Sequence, residues 1–446
     1  MKRFFGNRGT LRHGLISGAI GSAGLKVGYV GLQFAVGVLL ARLLGAQALG
    51  QYAFVMAVVQ LLAILAQSGF PLYLVRKIAL QQEANQVIEI RRTVICALVA
   101  VSSFGVLLVA SMHSLQRLDL PSFAAVMNKA YLSTASWLVV PLALAPTVAG
   151  ALKGVGLIVR AQVPELIVKP AILLAILSVV YLVKAPLNVD STLRIQLMSS
   201  LSALAIALLS LRVHLPVGGL RVSLSAVARH VGASQAFLLL AGAQVLNSQT
   251  NVLLLGMMAS PEQVGLYRVA VQLTDGLGVA MFAISAVIAP HIAKFHAIND
   301  WGRIQRILVL SHRAAVLVLL LPVLILLGFG ALVLELVFGT EYVAANDALS
   351  TLVIGKILYA TVGFSGLALS MLGQAGVAAI ITVATLLLNV LLGLFLIPHF
   401  GVEGAAVAAA ISMWSVNAYT MHWIRKQSGY GFAAFSRIGP CKVSLR

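Results

Sequence analysis

Residues 386–412 read LLLNVLLGLFLIPHFGVEGAAVAAAIS, and this stretch contains the pattern that decides the fold. A long apolar run ends at Pro398, and a second apolar run begins directly after Gly401. Followed outward, each run extends to about 20 residues, the length that a helix needs to cross a bilayer core. The stretch therefore predicts two membrane-spanning helices joined by a short turn.

The same pattern extends over the whole chain. Of its 446 residues, 60% are hydrophobic and only 10% are charged, and the mean hydropathy is +1.01. Soluble domains carry about 25% charged residues, so water is not the main solvent of this chain. Twelve runs reach the length of a membrane span, at residues 17 to 41, 51 to 72, 93 to 112, 131 to 151, 164 to 183, 193 to 213, 231 to 256, 264 to 290, 313 to 334, 346 to 371, 375 to 397 and 402 to 424. We therefore expect an all-α, polytopic membrane protein with about 12 transmembrane helices.

The basic residues lie mostly between these runs and orient the chain. If the N-terminus is cytoplasmic, the cytoplasmic segments hold 22 Lys and Arg residues, whereas the outer segments hold five. The positive-inside rule then predicts that both termini are cytoplasmic. The net charge of +19 does not indicate nucleic-acid binding, because nucleic-acid binders cluster their basic residues on one solvated face.

An internal repeat relates the first six runs to the last six. An offset of 215 residues places Gly50 and Tyr52 on Gly265 and Tyr267. We expect two six-helix halves, residues 1–225 and 226–424, followed by a basic cytoplasmic tail, 425–446. Because six is even, both halves enter the membrane in the same direction, which predicts a parallel pseudo-two-fold around a central cavity. Pro141 and Pro146 predict a kink or break in the fourth run.

Charged residues inside the runs are the first candidates for function, because each costs about 2.5 to 3.5 kcal/mol on insertion scales. The candidates are Lys26, Glu165, Lys169, Arg268, Asp275 and Lys356. The repeat does not duplicate the basic residues at 26, 268 and 356, whose equivalents are Ala241, Ala53 and Pro141. Three cations in a shared cavity would attract an anionic group such as a lipid diphosphate.

Polar residues follow the same faces at helical spacing. They are Tyr29, Gln33, Gln60, Gln244, Asn247, Asn251 and Gln272. Lining a cavity, these amide and phenol groups would suit sugar hydroxyls. Hydrogen bonds between helices are the alternative for each of them, and the sequence leaves that choice open.

Several segments carry a resemblance to a known family. They are ARLLGAQALGQYAF (41–54), SGFPLYLVRKIA (68–79), SPEQVGLYRVAVQL (260–273), FGTEYVAANDAL (338–349) and the opening stretch, 386–412. Together they resemble the Wzx-type oligosaccharide flippase family of the multidrug, oligosaccharidyl-lipid and polysaccharide (MOP) exporter superfamily.

The resemblance implies alternating-access translocation of a polyprenyl-diphosphate-linked oligosaccharide across the bacterial inner membrane, for O-antigen, exopolysaccharide or capsule assembly. It further implies that Lys26, Arg268 and Lys356 bind the diphosphate, and that partners include a polysaccharide polymerase and chain-length machinery. We expect no enzymatic activity and no cofactor or metal.

Two alternatives stay open. A cation-coupled drug or metabolite exporter of the same superfamily would use Asp275 or Glu165 as its ion site, although Glu165 is also spaced to pair with Lys169. A membrane polymerase, ligase or glycosyltransferase would need large outer loops or acidic catalytic motifs, which the sequence lacks. ATP-driven transport is disfavoured, because no Gly-x-x-x-x-Gly-Lys-Ser/Thr phosphate loop occurs.

Overall fold

A computed structural model describes residues 8–117, 129–215 and 223–436, and its long elements are all helices. They are α1 (Arg8–Gln67), α2 (Phe70–Glu83), α3 (Val87–Arg117), α4 (Lys129–Gly154), α5 (Ile158–Val183), α6 (Val189–His214), α7 (Leu224–Met258), α8 (Pro261–Ala297), α9 (Trp301–Val337), α10 (Asn346–Ala360), α11 (Ser365–Met371) and α12 (Ala375–Ser428). Nine helices of the described ranges are long and apolar enough to cross a membrane, and a bent pair within α7 gives a tenth. The predicted all-α, multi-span membrane fold is confirmed.

Two helices are much longer than one membrane span. Helix α1 has 60 residues, about 90 Å at 1.5 Å per residue, and it bends at Gly45 (φ 72°, ψ 171°). Helix α12 has 54 residues and bends at Gly401 (φ 52°, ψ −124°). Glycine adopts positive φ without the penalty that a Cβ imposes, so both bends fall where the sequence permits them. Each helix covers two of the predicted spans, while the total of twelve and the pseudo-two-fold stay predictions.

The described residues form two compact units whose boundaries cross the helices. The first unit comprises the chain up to Leu43 together with Val55–Val245, and the second comprises Leu44–Phe54 and the chain from Leu246 onward. Residues 44–54 of α1 therefore belong with the later helices, and the first part of α7 belongs with the earlier ones.

In the first unit, α4 packs against α2, α3 and α6. Small residues allow the close approach: a Cβ on Gly150 would lie 2.4 Å from the Pro71 carbonyl oxygen, and one on Gly154 would lie 2.8 Å from the Ile78 Cβ. Helix α4 runs without interruption through Pro141 and Pro146, so the break that these prolines allowed is absent from this helix.

The second unit packs α8, α9, α10 and α12 together, with residues 44–54 of α1 among them. Gly50 lies on the start of α8, where a Cβ would meet the Pro261 carbonyl oxygen at 1.7 Å. A Cβ on Gly265 would meet the Ala46 carbonyl oxygen at 2.1 Å. Glu341, in the 3₁₀ turn Thr340–Ala345, accepts a hydrogen bond from the Ala46 N–H (3.2 Å) directly after the bend in α1.

The C-terminal part of the described chain folds back onto α9. Gln305 donates to the Gly431 carbonyl oxygen (2.8 Å), and Arg313 donates to the carbonyl oxygens of Ala434 (2.9 Å) and Ser436 (3.2 Å). Phe432 is only 1% exposed. Residues 425–428 belong to α12 and 429–436 pack on α9, so the expected tail boundary at 425 does not coincide with a structural one. Residues 437–446 of that expected tail lie outside the described residues.

Candidate functional site

One face of α8 combines charge with exposure. Arg268 and Asp275 are exposed and Gln272 is half-buried, and their spacing of four and three residues places them on the same side of the helix. The opposite side is buried and includes Tyr267 and Thr274. Burial of that side fixes the rotation of α8 and so determines where the polar face points.

Asp275 forms an ion pair with Lys356 of α10. The Asp275 Oδ1 and Lys356 Nζ atoms are 3.6 Å apart, and the side chains are 62% and 23% exposed, respectively. An ion pair that is this open to solvent contributes about 0 to 1 kcal/mol, so it is readily exchanged for a stronger partner. Arg268 lies two turns from Asp275 on the same helix, yet the ion pair of Asp275 is with Lys356 of α10.

A cavity of about 320 Å³ lies beside this ion pair, entirely within the second unit. Its lining comprises Leu277, Gly278, Met281, Phe282, Ser285, Leu319, Lys356, Tyr359, Gly363, Phe364 and Met413. The wall near Gly363 is held in place by two hydrogen bonds. The Tyr359 hydroxyl donates to the Gly363 carbonyl oxygen (3.2 Å), and the Phe364 N–H donates to His312 Nε2 (3.2 Å).

The polar stripe of α1 meets α5 inside the first unit. Ser22 Oγ donates to Gln162 Oε1 at 2.8 Å, and a Cβ on Gly28 would lie 3.6 Å from Ile167. Lys26 is exposed, and Lys153 at the end of α4 is close enough to act on it electrostatically. This side of α1 therefore carries a local concentration of positive charge.

Farther along α1, the predicted sugar ligands Tyr29 and Gln33 contact each other. Gln33 Nε2 donates to the Tyr29 hydroxyl oxygen at 2.8 Å, and the pair is exposed. The two groups thus present one joined polar surface.

Glu165 and Lys169 lie at a π-helical turn, Pro164–Val168, within α5. The Lys169 N–H donates to the Pro164 carbonyl oxygen five residues earlier, which rotates Lys169 away from the usual four-residue alignment. No salt bridge within 4.0 Å joins the two described side chains, yet each acts electrostatically on the other, so their mutual neutralisation stays a prediction. Lys153 acts electrostatically on Glu165 as well.

The remaining predicted amide ligands differ in how far their side chains are exposed. Asn251 is 6% exposed, and its Nδ2 donates to the Tyr267 hydroxyl oxygen at 3.1 Å, which favours the helix-packing alternative for this residue. Gln244 is exposed, while Asn247 and Gln60 are half-buried. Among the described residues, no group of three His, Cys, Asp or Glu side chains is placed to hold a metal ion.

Sequence reasoning missed two contacts: the proximity of Lys153 to Lys26, and the ion pair between Asp275 and Lys356. Lys153 follows the fourth apolar run, 131–151, and so lies outside the runs in which charged residues were candidates. The Asp275–Lys356 pair joins α8 to α10 across 81 positions, and neither helical periodicity nor the 215-residue offset relates residues so spaced.

Comparisons with known proteins agree with this architecture. Residues 17–296, more than half of the chain, match a family described as polysaccharide biosynthesis protein. The probable low-salt glycan biosynthesis flippase Agl15 of Haloferax volcanii is 29% identical over 197 residues, covering 44% of this chain and 42% of that protein. The alignment thus spans less than half of that relative's length.

Solved structures share the fold at low sequence identity. An inward-facing multidrug resistance MATE family transporter of the MOP superfamily is 13% identical, with a TM-score of 0.73 over 92% of this chain and 98% of that one. The lipid II flippase MurJ in its inward closed conformation is 11% identical, with a TM-score of 0.73 over 92% of this chain and 87% of that one. The resemblance carried by the sequence motifs is confirmed. The chain therefore belongs to the polysaccharide biosynthesis protein family and has the fold of MOP superfamily transporters.

Proposed function

We propose that this protein translocates a polyprenyl-diphosphate-linked oligosaccharide across the bacterial inner membrane by alternating access, without itself catalysing a covalent step. The translocated unit would serve O-antigen, exopolysaccharide or capsule assembly, alongside a polymerase and chain-length machinery. The proposal includes two six-helix halves and cytoplasmic termini. The names of two similar proteins support the substrate class, since one is a probable glycan biosynthesis flippase and the other a lipid II flippase.

The observation that carries the proposal is the distribution of charge on α8 and α10. Arg268 is exposed on the polar face of α8, and Lys356 of α10 is paired with the solvent-exposed Asp275 of that face. A diphosphate carries more charge than one carboxylate and can accept several charge-assisted hydrogen bonds, so it would displace Asp275. Lys26, near Lys153, supplies a further cation in the first unit.

The same ion pair weighs against cation-coupled export. An exporter of that kind needs an acidic side chain available to a proton or sodium ion, and Asp275 is engaged by the Lys356 ammonium. Glu165 is half-buried and lies close to the positive charges of Lys153 and Lys169. These charges repel a proton or sodium ion that would bind to the Glu165 carboxylate.

Gene deletion in the host tests the function. Mass spectrometry of extracted lipids should show accumulation of a complete polyprenyl-diphosphate oligosaccharide while surface polysaccharide falls. An unchanged lipid-linked pool with normal surface polysaccharide would contradict the proposal, and truncated intermediates would indicate an enzyme instead.

Complementation of that deletion tests the residues. Export should fall about 10- to 100-fold in each of the variants Lys26→Ala, Arg268→Ala and Lys356→Ala at matched membrane abundance. This is the effect expected when one charge-assisted hydrogen bond to the substrate is lost. Arg306→Ala, an exposed substitution on α9, should export normally. Full export by all three variants would rule out a diphosphate site at these residues.

A further inference from the structure

The cavity in the second unit has the lining of a hydrocarbon site. Six of its side chains are aliphatic, aromatic or thioether groups, namely Leu277, Met281, Phe282, Leu319, Phe364 and Met413. Its volume of about 320 Å³ is at the lower end of the range for small-molecule pockets. Gly278 adds free space, because a Cβ there would have no heavy atom within 4 Å.

The polar groups of the cavity are few. Lys356 supplies the only charged side chain among its lining residues, and the Tyr359 hydroxyl is already committed as a donor to Gly363. A suitable ligand therefore has an apolar body that ends directly in an anionic group.

Helix α8 carries groups that match such a ligand beyond the edge of the cavity. Leu277 to Ser285 line the apolar space, Asp275 meets Lys356, and Arg268 lies seven residues earlier, about 10 Å along the helix axis. The apolar space, the cation Lys356 contributed by α10, and the cation Arg268 thus lie in this order along the length of α8, within one unit.

We propose that this cavity binds the isoprenoid units nearest the diphosphate of the substrate, and that Lys356 exchanges Asp275 for a phosphate oxygen. The inference rests on the proposed function. In a polyprenyl diphosphate the hydrocarbon is esterified directly to phosphate, which matches an ammonium at the edge of an apolar cavity. In a phospholipid, a glycerol and two ester groups separate the phosphate from the acyl chains. The lining hydroxyls of Ser285 and Tyr359 already donate to the carbonyl oxygens of Met281 and Gly363, so they do not compensate the burial of these ester groups.

Photolabelling tests the site. The probe is farnesyl diphosphate with a diazirine on its terminal isoprene unit, added to the full-length protein in lipid nanodiscs. We expect cross-links within residues 277–285 and at Leu319, and we expect undecaprenyl phosphate to compete with them. Cross-links distributed over the exposed apolar surface would overturn the inference.

A matched pair of variants identifies the cavity. Gly278→Phe adds a ring at the cavity wall, from a Cβ position with no heavy atom within 4 Å, whereas Gly276→Phe adds the same ring on the same helix at an equally open Cβ position outside the lining. Labelling should fall at least tenfold in Gly278→Phe and stay within twofold of the parent protein in Gly276→Phe. Equal labelling of both variants would overturn the inference.

Two further results separate this inference from the proposed function. If Gly278→Phe exports normally while Arg268→Ala does not, the isoprenoid site is wrong and the flippase stands. If a diazirine-tagged phosphatidylglycerol labels the cavity and undecaprenyl phosphate fails to displace it, the cavity is a phospholipid site and the inference is overturned.

Discussion

Gly50 and Gly265 occupy equivalent positions in the sequence repeat, and each packs against the helix that carries the other: Gly50 against the start of α8, and Gly265 against α1 just after its bend. The Cβ of an alanine at either position would lie within 2.1 Å of a backbone carbonyl oxygen, on Pro261 or Ala46. Backbone atoms cannot rotate aside as side chains do, so only glycine permits this approach. The Gly-x-Tyr motif thus marks a point where two chain segments touch.

Gly265→Ala should destabilise the protein. Forcing a methyl group into this contact costs about 1 to 3 kcal/mol, as for other overpacked sites. Gly276→Ala on the same helix has open space and should be neutral or stabilising by up to about 1 kcal/mol, because alanine is the better helix former. Thermal denaturation of both purified variants in detergent would check this, and a lower midpoint for Gly276→Ala than for Gly265→Ala would contradict it.

Residue types were easier to predict than residue partners. Lys356, Asp275 and Arg268 stood out because charge inside an apolar run needs a reason, and the structure places all three in the second unit. The Asp275–Lys356 ion pair could not be predicted, since Lys356 approaches from another helix whereas Arg268 shares a helix face with Asp275. Helical periodicity assigns residues to faces, but only tertiary packing decides which faces meet.

At the scale of elements, the C-terminal segment 429–436 behaves as part of the helix bundle. Three side-chain hydrogen bonds from Gln305 and Arg313 hold it, and the Ala434 N–H donates to the Thr361 carbonyl oxygen (3.0 Å) next to the cavity wall. The segment therefore links α9 to the turn between α10 and α11.

Arg313→Ala should loosen this segment without unfolding α9. Loss of two hydrogen bonds from a charged donor removes about 3 to 6 kcal/mol of local stabilisation at most. Hydrogen exchange measured by mass spectrometry should show faster exchange in peptides covering 429–436, while peptides from α4 stay unchanged. Arg306→Ala, an exposed control on the same helix, should match the parent protein. Unchanged protection of 429–436 in Arg313→Ala would contradict this prediction and would show that burial of Phe432 alone holds the segment in place.

Helix positions followed from hydropathy, but helix ends did not. Ten of the twelve predicted runs fall within a single helix of the described ranges, whereas 51–72 runs from α1 into α2 and 346–371 runs from α10 into α11. Glycines at 45 and 401 bend α1 and α12 without ending them, and two prolines leave α4 continuous. Local sequence shows which residues can bend a helix. Whether the helix continues depends on neighbouring helices that supply hydrogen-bond partners to the backbone groups freed at the bend.

At the scale of the whole molecule, charge predicts orientation. Ala84 lies in the turn between α2 and α3, beside the basic residues expected in the cytoplasm. Ala185 lies in the turn between α5 and α6, which the charge pattern predicts to be on the outer side. With Cys96 and Cys441 changed to serine, Ala185→Cys should react with a membrane-impermeant maleimide in intact spheroplasts.

Ala84→Cys provides the matched comparison. It should react only after the membrane is permeabilised, because the positive-inside rule retains its flanking Arg and Lys residues in the cytoplasm. Labelling of Ala84→Cys and protection of Ala185→Cys in intact spheroplasts would reverse the orientation. Labelling of both without permeabilisation would contradict the assignment of these two turns to opposite sides.

The placement of residues 44–54 in the second unit has a consequence for biosynthesis. Gly50 leaves the ribosome 211 residues before Pro261, its packing partner. At about 5 to 20 residues per second, this segment waits about 10 to 40 s for the helix that it must contact. The nascent second unit therefore cannot close until the ribosome has passed α8, and the early segment must be kept out of premature contacts during that interval.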